Sequence, residues 1–202
     1  MEMNSFFDLF LQNLYQTTLL EIIAVFFGLL SVWYSRKVNI LVYPTGIVSV
    51  LIYVYICFHA GLYADMGINW VYFVMSVYGW YNWTRKKKDE TAVKIAWLST
   101  KGHITSVFIV IISFVIISFI LVNYTDSTVP YVDAFTTAVF IVGMWLMAIK
   151  KVENWIYWII GDIICMPMFF YKGLVFTSFQ YFVFLILAVM GYYSWRNEVR
   201  NV

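Results

Sequence analysis

Residues 152–171 read VENWIYWIIGDIICMPMFFY. At about 1.5 Å per helical residue the stretch is long enough to cross the ~30 Å hydrocarbon core of a bilayer. It carries Asn154, Trp155, Trp158 and, near its middle, the carboxylate of Asp162. An acid in mid-span costs about 2.5–3.5 kcal/mol on insertion scales, so it is kept where it faces protein or water. At about 100° per residue, Trp155, Trp158 and Asp162 fall within roughly 60° of one another. Two aromatic rings beside a buried acid suit a flat, polar or cationic ligand. The plainer alternative is a structural acid hydrogen-bonded to a neighbouring helix.

The whole chain has the same character. Of its 202 residues 63% are hydrophobic, 21% aromatic and only 12% charged, against about 45–50% apolar and about 25% charged in soluble domains. An integral membrane protein is implied. Apolar runs place seven spans near 18–35, 39–58, 66–84, 103–123, 132–149, 152–171 and 174–195. Residues 1–17 suit a short interfacial helix and carry no signal-peptide pattern. Cys57 and Cys165 sit in apolar runs and read as packing residues.

Lys and Arg set the expected orientation. With alternate loops assigned to two sides, twelve of the thirteen cations fall on one side and only Lys172 on the other. Positive residues stay inside, so the N-terminus is expected outside and the C-terminus in the cytoplasm.

The two ends of the chain echo each other. At a spacing of 112, Glu21 meets Asp133, Trp33 meets Trp145, Gly61 meets Gly173, and GWYNW (79–83) meets GYYSW (191–195). Between these landmarks the best match shifts to 115, pairing Asn39, Tyr43 and Gly46 with Asn154, Trp158 and Gly161. The expected fold is all-α, with three-helix repeats at 18–85 and 131–197 and a linker region, 86–130, holding the fourth helix. That helix restores the orientation of the second repeat, giving a parallel 3+1+3 arrangement. A substrate site is then expected between the repeats, near the midplane.

Polar residues on shared faces are the other site candidates: Asn69, Tyr72 and Ser76 on the third span, Gln180 and Phe184 on the seventh, and Asp133, Thr136 and Phe140 on the fifth. Glu21 and Asp133, near helix ends, read as capping or solvated acids. Asn69 and Gln180 could equally be interhelical glue. Trp33, Trp83 and Trp195 lie at basic helix ends and read as interfacial belt.

Catalysis finds no support. His59 and His103 fall in loops on opposite sides, and the sequence has no HExxH, P-loop, or GxSxG with a histidine partner. No cofactor, metal site or nucleic-acid partner is expected.

The segments LYADMGINWVYFVMSVYGWYNW (62–83) and MWLMAIKKVENWIYW (144–158), with the late GYYSW, resemble the PnuC-type vitamin transporters over about 19–197. The resemblance implies a seven-helix, SWEET-like fold in a bacterial plasma membrane. It also implies uptake of nicotinamide riboside by facilitated diffusion, the cargo being trapped by a cytosolic kinase. Position by position it implies ligand contacts at Asn69, Trp155, Trp158, Gln180 and Phe184, with Thr45 as a further one. Ser76 and Asp162 stand where nicotinamide riboside carriers are expected to have amides. They are taken as substrate-facing, and the acid keeps thiamine open as the cargo. A receptor or assembly subunit that transports nothing is the alternative of another class. The sequence leaves a homo-oligomer open.

Overall fold

A computed structural model describes residues 17–85 and 94–200. The interfacial helix expected at 1–17 and the run Lys86–Lys88 lie almost wholly or wholly outside the described residues. Seven helices follow one another: α1 (Leu19–Arg36), α2 (Val42–His59), α3 (Tyr63–Thr84), α4 (Thr100–Tyr124), α5 (Pro130–Ala148), α6 (Asn154–Tyr171) and α7 (Val175–Arg200). Five of them are long and apolar enough to cross a membrane by length and composition. The other two, α3 and α6, carry more polar and aromatic residues, among them Asn69, Ser76, Trp155, Trp158 and Asp162.

The helix starts follow local chemistry. Thr18 caps α1 in a reciprocal box with Glu21: the Thr18 N–H donates to the Glu21 carboxylate at 2.6 Å, and the Glu21 N–H donates to Thr18 Oγ1 at 3.3 Å. Glu21 is thus a capping acid, as its place at a helix end implies. Pro130 opens α5 at a position where no intrahelical N–H is needed. Gly61 and Gly173, with φ of 74° and 75°, supply the left-handed turn that ends α2 and α6.

One spacing runs through the chain without a break. The bounds of α2 recur 112 residues later as those of α6, and the same spacing carries α1 onto α5 and the start of α3 onto that of α7. The left-handed residues Val38 (φ 54°) and Lys150 (φ 53°) are related in the same way. So are Tyr43 and Trp155, each packed on a glycine, Gly79 and Gly191. The local shift to 115 expected from the sequence is therefore corrected. Tyr43 corresponds to Trp155 and Gly46 to Trp158. The apparent shift came from matching Asn39 to Asn154 by residue type, whereas helix start and contact geometry pair Val42 with Asn154.

Helices α1, α2 and α3 pack in sequence, as do α5, α6 and α7. The two sets meet where α3 lies on α5 and α1 on α7, while α4 packs chiefly on α5. Its apolar side chains face outward; Ile104, Phe108, Val115 and Phe119 are all exposed. The larger of the two buried clusters lies at the end carrying Arg36, Lys37, Lys150 and Lys151, here the basic end. Tyr43, Trp83, Val152, Trp155 and Trp195 are buried together there. The belt reading of Trp83 and Trp195 is thus corrected. They are 8% and 0% exposed, and their indole N–H groups bond to Met147 O at 3.2 Å and Ser35 O at 3.0 Å. Trp33 differs: it is exposed, with the Arg36 and Lys37 cations 4.5 and 4.9 Å from its ring centroid.

The segment after the undescribed residues docks onto this basic end. Ala96 pairs with the α5–α6 connection through Ala96 N–H to Lys150 O and Val152 N–H to Ala96 O, both 3.1 Å. The Leu98 N–H donates to both oxygens of buried Glu153, at 2.9 and 3.0 Å. At the opposite end Lys172 pairs with Asp133 at 2.8 Å, and Ser127 Oγ donates to the same carboxylate at 2.5 Å. Asp65 of α3 lies within electrostatic reach of both Asp133 and Lys172.

Candidate functional site

Asp162 is placed eight residues into an eighteen-residue helix, so it sits at mid-depth. It is 3% exposed. Around it gather side chains from several helices. Cys165 lies one turn on, with Thr136 of α5 and Tyr181 of α7 in hydrogen-bonding reach of its thiol. Asp162 is in electrostatic reach of both Cys165 and Tyr181, and Tyr72 of α3 and Tyr53 of α2 approach the same tyrosine. The acid therefore faces side chains of the second set of helices, and Tyr181 connects that cluster to Tyr72 and Tyr53 of the first.

Beside the acid runs a slab of aromatic rings. Trp158 stacks on Phe140 at 5.2 Å and 27°, Phe140 faces Tyr181 at 6.2 Å and 14°, and Tyr181 stacks on Phe169 at 5.1 Å and 11°. The α5–α6 crossing is built to hold it. Gly161 lies beneath the Phe140 ring, and Gly143 beneath Trp158. A side chain at either glycine would meet the ring that rests there.

The expected site residues divide into three groups. Asp162 and Trp158 come together in the central cluster, with Phe140 and Tyr72. Gln180 and Phe184 turn toward the first set of helices: Gln180 hydrogen-bonds Tyr53, and the Phe184 ring approaches Gly28 of α1. Trp155 is 1% exposed in the basic-end core, edge-on to Trp195 at 5.7 Å, with its indole N–H unpartnered by protein. Thr45 and Asn69 spend their donors within their own helices, on Leu41 O at 2.6 Å and Asp65 O at 2.9 Å. Ser76 is buried on α3. A surface cleft of about 530 Å³, lined by Asp126, Ser127, Thr128, Tyr171 and Lys172, lies at the Lys172 end, where the Lys172 ammonium stands 5.5 Å from the centroid of Phe169, the last ring of the slab.

Tyr53, Phe169 and Tyr181 were not singled out from the sequence. The signal that bears on them is the uniform 112-residue spacing, which sets Tyr53 against Cys165, Tyr181 against Asn69 and Phe169 against Cys57. A real difference between the halves is thereby exposed.

Comparison with known proteins identifies the family. The profile described as nicotinamide mononucleotide transporter matches residues 18–197. The chain belongs to that family. Among curated members, the nicotinamide riboside transporter PnuC of Escherichia coli is 25% identical over 93% of this chain and 89% of its own length. The riboflavin/roseoflavin transporter RibM of Streptomyces davaonensis is 25% identical over 90% of this chain and 86% of its own. The PnuC of Neisseria mucosa is 26% identical, covering 89% of this chain and 72% of its own. A crystal structure of the vitamin B3 transporter PnuC superposes with a TM-score of 0.73 at 24% identity, over 97% of this chain and 90% of that one. Its likeness bears on the fold. Membership of this transporter family makes the chain a multi-pass membrane protein of transport rather than catalysis.

Proposed function

We propose that this chain takes up nicotinamide riboside by facilitated diffusion across a bacterial plasma membrane, with capture by a cytosolic kinase keeping the cargo inside. The observation that carries this reading is the family match over 18–197, with relatives of both PnuC type over most of their length. The mid-depth cluster supports it chemically: a flat cationic pyridinium ring suits a slab of parallel rings beside a carboxylate. In this reading the units 18–85 and 131–197 form a parallel 3+1+3 arrangement like that of the SWEET carriers, joined by the region 86–130. They rock about the interface where α3 meets α5 and α1 meets α7. The N-terminus lies outside and the C-terminus in the cytoplasm, in keeping with the distribution of Lys and Arg. Trp158, Asp162, Gln180 and Phe184 hold the cargo, with Asn69, Ser76, Thr45 and Trp155 completing the path.

A second reading is thiamine, also flat and cationic. Asp162 favours it, because a carboxyl can accept from an aminopyrimidine as well as face a cation. Titration calorimetry on the purified protein with nicotinamide riboside and then thiamine tests both. Tight binding of the riboside is expected. Tight binding of thiamine alone reassigns the cargo, and binding of neither removes both.

A further inference from the structure

The 112-residue spacing relates the two contacts between the sets of helices: α1 on α7 corresponds to α5 on α3. The two are covered differently. Helix α4 packs on α5 and also touches α3, so it lies over part of the second contact. Among the described residues α1 packs only on α2 and α7, so nothing equivalent lies over the first. Equivalent residues register the difference. On α1, Ile22, Phe26 and Trp33 share one face within roughly 40° and are exposed. The counterparts of Ile22 and Phe26 on α5 are Ala134 and Ala138, both 0% exposed. Arg36 reaches from α1 to α7, where its guanidinium donates to Met190 Sδ at 3.6 Å. Met190 and, one turn before it, Ile186 are exposed as well. An apolar groove between α1 and α7 thus runs toward the basic end and stops at Arg36.

The charges at that end are unanswered. Arg36 and Lys37 lie 4.5 and 4.9 Å from the centroid of the one Trp33 ring. The two cations are thereby held within about a Debye length of each other, ~10 Å at 0.1 M salt. No carboxylate pairs with either among the described residues. The protein acceptor that Arg36 does meet is a thioether, a weak one. Like charges drawn together repel unless an anion sits with them, and the guanidinium fork matches phosphate oxygens. The second half has Ala148 and Ile149 at these positions, so the pair of cations marks the uncovered groove alone.

We propose that an anionic phospholipid of the leaflet at the basic end seats here. Its phosphate lies on Arg36 and Lys37, its glycerol beside the Trp33 ring at headgroup level, and one acyl chain in the α1–α7 groove. The lipid covers the contact that α4 leaves bare. Because α1 and α7 belong to different sets, it also ties the two sets together at that end. The groove selects a lipid over free phosphate, which has no chain to bury. The paired cations select an anionic headgroup over a zwitterionic one.

The purified chain in detergent tests this, with dioleoyl phosphatidylglycerol, dioleoyl phosphatidylcholine or inorganic phosphate added. Melting temperature and native mass spectrometry of retained lipid are the readouts. One phosphatidylglycerol should be retained per chain and should raise the melting temperature, and the other two additions should do neither. The double variant Arg36→Gln, Lys37→Gln should lower the apparent affinity for phosphatidylglycerol at least about tenfold, with Arg36→Lys between it and wild type. Lys101→Gln with Arg200→Gln removes two other exposed cations and should leave that affinity unchanged. Equal losses in the two double variants would mean diffuse attraction to a basic surface and overturn the site. Equal retention of the two lipids, or equal protection by phosphate, overturns it too. A wild type that runs as an oligomer, and as a monomer once Arg36 and Lys37 are changed to Gln, gives the groove to a second copy instead. If the double variant does not fold, the wild-type comparison of the two lipids and phosphate decides alone.

Discussion

Trp83 and Trp195 stand 112 residues apart, and each donates the same kind of hydrogen bond to the opposite half of the molecule at its basic end. Trp83 donates to the carbonyl of Met147, Trp195 donates to that of Ser35, and Ser35 and Met147 are themselves 112 residues apart. The two acceptors also touch, Ser35 Oγ lying 3.2 Å from Met147 Sδ. Each tryptophan is met edge-on by a ring from its own half, Tyr43 at 5.2 Å and Trp155 at 5.7 Å. The basic end is thus closed by a twofold-like pair of crossed hydrogen bonds.

Trp83→Phe and Trp195→Phe delete the donor and shrink the indole to a single ring. Each should cost more than the about 1 kcal/mol net worth of a buried hydrogen bond, because the smaller ring also leaves a cavity, with nearly equal falls in melting temperature for the purified protein in detergent. A fall confined to one variant would break the equivalence of the two bonds.

The Glu153 carboxylate holds the chain after the undescribed linker by accepting the Leu98 N–H. Glu153→Ala should release residues 94–98, removing a charge-assisted bond worth about 1.5–3 kcal/mol. Hydrogen exchange at Ala96 and Leu98 should accelerate, while amides in the middle of α6 stay protected. Glu153→Gln, which retains one acceptor oxygen, should fall between the two.

Val38 ends α1 with φ of 54°, a conformation that costs a β-branched residue about 1–2 kcal/mol. Val38→Gly should therefore raise the melting temperature, less than that cost alone implies because Val38 also packs against the core. Destabilisation by this change, read in a thermal melt, would mean that packing outweighs backbone strain there.

Burial holds the Lys150 ammonium below its ordinary value of 10.5, with Glu198 pulling the other way. Between the depressed folded value and 10.5 the unfolded chain binds more protons than the folded one. Stability should then rise with pH across that window and be flat below it, as far as this group is concerned. Lys150→Met should remove the rise, and melts across the alkaline range would show whether it does.

Asp162→Ala removes the carboxyl from the central cluster. Binding of a cationic vitamin should weaken about tenfold, equal to about 1.4 kcal/mol, and Trp158→Ala should weaken it as well. Calorimetry on folded variants decides this; unchanged affinity in both would take α6 out of the site.

Much of this architecture was legible in the residues. Length and apolarity located seven helices to within a few positions, because a helix that crosses a bilayer must satisfy its own backbone. Gly61 and Gly173 marked the same turn twice, since only glycine takes φ near 75° without cost. Asp162 announced itself by the expense of an acid at mid-depth. The pairing of the halves between their ends was less legible. Residue type drew Asn39 to Asn154, and nothing local opposes that match.

By itself, then, the sequence determined the membrane class, the helices and the acid at their centre, because these follow from solvation costs counted residue by residue. Only the tertiary structure decided that Trp83 and Trp195 are buried locks, that Trp155 joins the basic-end core, and that Phe140, Trp158, Tyr181 and Phe169 form one slab. Those outcomes depend on which helix crosses which, and on a glycine in one helix lying beneath a ring from another. Residues far apart in the chain acquire such relations only when the helices pack.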